Sequence, residues 1–70
     1  MVTSEYLRSI GFEEEKGEYI LRYKYNSGMV TVYKNRAEKE PKFQLMLRGQ
    51  FMGELPEDRE FLGKLLKYFG

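Results

Sequence analysis

This 70-residue chain has no cysteine, no histidine and no tryptophan, and only two prolines. Without cysteine there is no disulfide. With histidine also missing, a structural zinc site loses its two best ligand types. A chain this short buries only about 60% of the surface that its unfolded form exposes. Small domains often compensate with disulfides or a metal; here packing must suffice, with self-association as a further source. The lack of cysteine fits a cytoplasmic location. The same two absences remove the commonest general base and the thiol nucleophile from any catalytic scheme.

Strong charge bias is also missing. Twelve basic and eleven acidic residues leave a net charge of +1, and both signs are spread through both halves. Neither half would be drawn to nucleic acid or to an acidic membrane surface, and an acidic mimic of DNA is disfavoured on the same count. No apolar run is long enough to span a bilayer. Met1 to Ile10 carries scattered charges and no apolar core of a signal peptide, so Met1 reads as the chain's own start. One small domain over residues 1–70 is expected.

What is present is a strong C-terminal pattern. Phe61, Leu62, Leu65, Leu66 and Phe69 fall on one stripe of a helix expected from Pro56 to Phe69. Pro56 suits the first helical position, and Glu57 and Asp58 suit the positive end. Gly63 interrupts this helix outside the stripe. At the other end of the chain, Thr3 or Ser4 can cap a short helix whose face carries Val2, Tyr6, Leu7 and Ile10. Gly11 is placed to end it in a left-handed turn, with Phe12 touching Leu7.

The middle of the chain alternates with period two. Glu18 to Tyr25 sets Tyr19, Leu21, Tyr23 and Tyr25 against Ile20, Arg22 and Lys24. Asn26-Ser27-Gly28 is a turn, and Met29 to Lys34 a second strand. An even-length loop puts Val30 and Val32 on the face of Leu21 and Tyr23, and a three-residue loop puts Met29, Thr31 and Tyr33 there instead; the even loop is favoured, since two valines make the better core. Asn35 to Pro41 is a charged loop. Lys42 to Arg48 is a third strand with Phe43, Leu45 and Leu47 on one face, and Phe51 to Glu54 a short fourth. Glu13 to Glu15 is a solvated connection or a short edge strand hairpinned through Lys16-Gly17. A metal reading of its three carboxylates is disfavoured, because neighbouring strand residues point to opposite faces.

The expected fold is therefore α+β in two layers. An antiparallel meander of three to four strands carries the N- and C-terminal helices on one face. The expected core comprises Tyr6, Leu7, Ile10, Phe12, Leu21, Tyr23, Val32, Phe43, Leu45, Leu47, Phe61, Leu62, Leu65, Leu66 and Phe69. The other sheet face is then open. It would display Ile20, Arg22, Lys24, Lys42, Gln44, Met46 and Arg48, joined by Phe51 if the loop after Leu47 is even. Six tyrosines are present, and Tyr25 and Tyr33, near strand ends, are the expected accessible ones.

Helix, three strands, helix is also the order of double-stranded-RNA-binding domains, but the motifs differ. The turn Asn26-Ser27-Gly28 lacks that family's proline and histidine. Glu57-Asp58-Arg59-Glu60 stands where that family has phosphate-binding lysines, and acid there repels RNA. Ser4, Ser9 and Ser27 have no evident base beside them, and no phosphate-binding glycine motif is present. The reading is a non-enzymatic interaction module, without cofactor or metal. It would bind a protein partner or itself through the open sheet face or an edge strand. The alternative is a weak nucleic-acid binder using Arg22, Lys24, Lys42 and Arg48.

Overall fold

A computed structural model describes residues 1–39 and 42–69. Two helices, α1 (Ser4–Ser9) and α2 (Arg59–Phe69), enclose five strands in sequence. The strands are β1 (Glu13–Lys16), β2 (Ile20–Tyr25), β3 (Val30–Asn35), β4 (Gln44–Leu47) and β5 (Gln50–Glu54). They form one antiparallel meander in the order β1-β2-β3-β4-β5. The two-layer α+β architecture expected from the sequence is present, with Glu13 to Glu15 forming a fifth, edge strand. Glu40 and Pro41, the end of the expected loop, lie outside the described residues.

The β2–β3 register pairs Tyr23 with Val32 and Tyr25 with Val30. The loop between them is thus even, and both valines face the helices, fully buried. The core is Val2, Leu7, Phe12, Tyr23, Val30, Val32, Leu45, Leu55, Leu62 and Leu66, with Tyr6, Ile10, Leu21, Phe43, Leu65 and Phe69 packed around it. Phe61 is not core; it is 37% exposed. Helix α2 leans on the sheet along Leu62, Leu66 and Phe69, at helical spacing i, i+4 and i+7, which leaves Phe61 at the margin. Tyr25 is also not free, since its ring packs 5.4 Å from that of Phe12.

Local signals explain most element ends. Thr3 Oγ1 accepts the Tyr6 N–H at 3.1 Å and caps α1. Gly11, at φ +106°, ends it; the Phe12 N–H returns to the Leu7 carbonyl and the Gly11 N–H to that of Arg8. That is the Schellman pattern. The last helix starts at Arg59, three residues after the expected Pro56. The Leu55 N–H donates to the Phe43 carbonyl at 2.8 Å and its side chain is buried, so the chain stays extended there. Asp58 then caps, its Oδ1 accepting the Glu60 N–H at 2.9 Å. At the far end, Asn26 Nδ2 donates to the Phe69 carbonyl at 2.7 Å and ties the β2–β3 turn to α2.

The deepest large side chain is Tyr23, whose hydroxyl needs a partner because burial denies it water. It donates to Glu14 Oε2 at 2.6 Å, and Arg8 Nη1 donates to the same oxygen at 2.8 Å. One carboxylate thereby joins α1, β1 and β2. The Tyr23 hydroxyl, chiefly, holds the Glu14 carboxyl below its ordinary value, partial desolvation opposes this, and Arg8 reinforces it. Burial, and then the bond to Glu14, push the Tyr23 phenol up.

Three outcomes are expected. Because the Glu14 value is depressed by folding, its stabilisation is present above the unfolded value of 4.5 and is lost as pH falls through the folded one. Glu14→Gln should flatten the acid limb of a stability–pH curve below that value; an unchanged limb would contradict the latch. In α2, Leu62→Ala should cost about 2–5 kcal/mol. A Cβ at Gly63 would meet nothing within 4 Å, so Gly63→Ala should add about 1 kcal/mol. Urea titration of the three chains checks both.

Candidate functional site: the open sheet face and its outer edge

The face of the sheet away from the helices is built in rows across the strands. One row runs Glu13, Lys24, Thr31, Met46, Phe51; the next runs Glu15, Arg22, Tyr33, Gln44, Glu54. Ile20 and Asn35 extend it at one end. The period-two pattern of β2 and β4 puts these residues here, because their neighbours face the core.

Of the residues expected on this face, Ile20, Arg22, Lys24, Gln44, Met46 and Phe51 are brought together. The loop after Leu47 is even: Leu47 pairs with Gln50, so Phe51 lies beside Met46. Lys42 precedes β4, exposed, with Nζ 3.6 Å from Glu54 Oε1. Arg48 does not belong to the face. It lies in the β4–β5 turn at φ +51° followed by Gly49 at φ +80°, the two left-handed residues of a type I′ hairpin. Its guanidinium sits 5.5 Å over the Phe69 ring on the helix side.

The face is not basic in sum. Glu15 Oε1 lies 3.5 Å from Arg22 and 3.4 Å from Lys24, so one carboxylate of β1 sits against both cations. Sequence reading missed this, because it turns on pairing β1 with β2 in one register. It also left Thr31 and Tyr33, at the centre of the face, and Met52 out of the set. Tyr33 could have been found by parity, since it alternates with the core valines. A shallow cleft of about 330 Å³ lies between Ile20, Tyr33, Gln44 and Phe51.

The two sheet edges differ. Strand β1 reads Glu-Glu-Glu-Lys, charged at every position. Strand β5 reads Gln-Phe-Met-Gly-Glu, with Phe51 58% and Met52 55% exposed. A bulge at Met52 lets Phe51 pair with Met46 and Gly53 with Leu45. Charge on an edge strand blocks further pairing, and an uncharged apolar edge invites it. Among the described residues, no three Asp, Glu, His or Cys side chains are grouped to hold a metal, and no helix is long and apolar enough to cross a membrane.

Exposure of this kind has a measurable consequence. Phe51→Ser and Met52→Ser should each change stability by no more than about 0.5 kcal/mol, as surface substitutions do, whereas Val32→Ala on the covered face should cost several times more. Parallel thermal melts of the three variants decide it, and a large loss at Met52 would place it in the core. Compared with protein-family models, curated proteins and solved structures, the chain matches none.

Proposed function

We propose that this protein is a small non-enzymatic interaction module whose contact surface is the β5 edge and the adjoining open face. It binds a protein partner or a second copy of itself there. The observation that carries this reading is the asymmetry of the two edges. The acidic edge at β1 is protected by charge, whereas β5 presents Phe51 and Met52 to water. Large apolar side chains on a strand with one free edge add both hydrophobic surface and free backbone donors and acceptors, which is the chemistry of strand-addition contacts. The sequence offers no histidine or cysteine for acid–base or nucleophilic work. Nucleic-acid binding through the face is disfavoured, because Glu13 and Glu15 stand against Lys24 and Arg22.

A photoreactive benzophenone amino acid in place of Phe51 should give a discrete covalent adduct in the native cell. The same group in place of Glu5, exposed on α1, should not. Equal yields from the two positions would sink this reading.

A further inference from the structure

We infer that the β5 edge pairs with the β5 edge of a second copy, antiparallel about a two-fold axis through Phe51. This deepens the proposed function and rests on its reading of β5 as the contact surface.

The geometry of the hairpin selects the axis. A two-residue hairpin is closed by a hydrogen-bonded pair, here Leu47 and Gln50. The next pair, Met46 and Phe51, is then a non-hydrogen-bonded one, so the Phe51 N–H and C=O point away from β4 to the free edge. On a two-fold axis these groups bond to the same groups of the other copy. Gln50 of each chain then lies opposite Met52 of the other. The bulge at Met52 ends the paired stretch at three residues.

Charge favours this pairing over the other symmetric one. From Gly49 to Gly53 the chain is uncharged, with Arg48 at one end and Glu54 at the other. Antiparallel pairing therefore sets no like charges against each other: the Arg48 guanidinium is turned onto Phe69 on the helix side, and Glu54 on the open face already has Lys42 at 3.6 Å. Pairing β1 with itself would set three carboxylates against three, which like-charge repulsion bars. The paired sheet places the two Phe51 rings side by side on the open face, each flanked by Met46. So short a contact buries less than the roughly 1,200 Å² of a stable interface, so the dimer is weak and reversible.

The test is sedimentation equilibrium of the full chain. The average mass should rise from one chain toward two between about 10 µM and 1 mM, as the small interface implies. Met52→Lys should weaken association at least about tenfold, since an edge lysine blocks pairing. Tyr68→Lys removes a large side chain on α2 that is more exposed still, 81% against 55% for Met52, and should leave association unchanged. Because the chain has no cysteine of its own, single cysteines report the register. Hydrogen-bonded partners lie about 5.5 Å apart at Cα, within the range a disulfide spans, so Phe51→Cys should oxidise to a dimer at least about tenfold faster than Tyr68→Cys. A constant one-chain mass, equal weakening by the two lysines, or equal oxidation at the two cysteines would each overturn the pairing. A monomeric chain that still crosslinks to a different protein from position 51 would overturn it and leave the contact-surface reading standing.

Discussion

Burial of Tyr23 is the constraint on which the rest of this structure depends. A seventy-residue chain without cysteine or histidine must make its core from one sheet face and two helices. Tyr23 is the largest side chain taken fully out of water. Its ring packs edge-on 6.0 Å from Phe43, and its hydroxyl reaches the rim, where only a hydrogen bond can offset lost hydration. Glu14 supplies that bond and receives a second from Arg8. A strand of four charged residues is thereby held onto β2, and a six-residue helix too short to persist alone is held onto both.

Covering one face determines what remains on the other. Period-two alternation sends Arg22, Lys24, Tyr33, Gln44 and Met46 away from the helices because Tyr23, Val32 and Leu45 go toward them. Strand β1 then does two jobs. Its Glu14 serves the core side, and its Glu15 meets Arg22 and Lys24 on the open side. The charge of the open face is balanced as a result, and its distinctive surface moves to the opposite edge, where Phe51 and Met52 stand.

Much of this was legible in the residues. Alternation in β2, β3 and β4 marked the faces, and the favoured even loop put Val30 and Val32 toward the core; Phe51 hung on the parity of the turn after Leu47, which the pairing of Leu47 with Gln50 makes even. Gly11 and Thr3 announced the ends of α1. The misreadings share a physical cause: each was decided by contacts distant in sequence. Pro56 looked like a helix start until Leu55 was drawn into the core by its bond to Phe43. Phe61 looked like core until α2 settled along Leu62, Leu66 and Phe69. Arg48 looked like a strand residue until the turn took it into left-handed space and onto Phe69.

The sequence by itself determined a meander between two helices, the two-layer architecture and which residues alternate, because periodicity and capping are local properties; that Glu13–Lys16 joins as a fifth strand was settled by its pairing with β2. Only the tertiary structure decided that Glu15 would meet both cations of β2 and that the edge beyond β4 would be apolar. Those outcomes depend on which strands become neighbours and in what register. Cross-strand distance, rather than spacing along the chain, set the character of the face left open by the two helices.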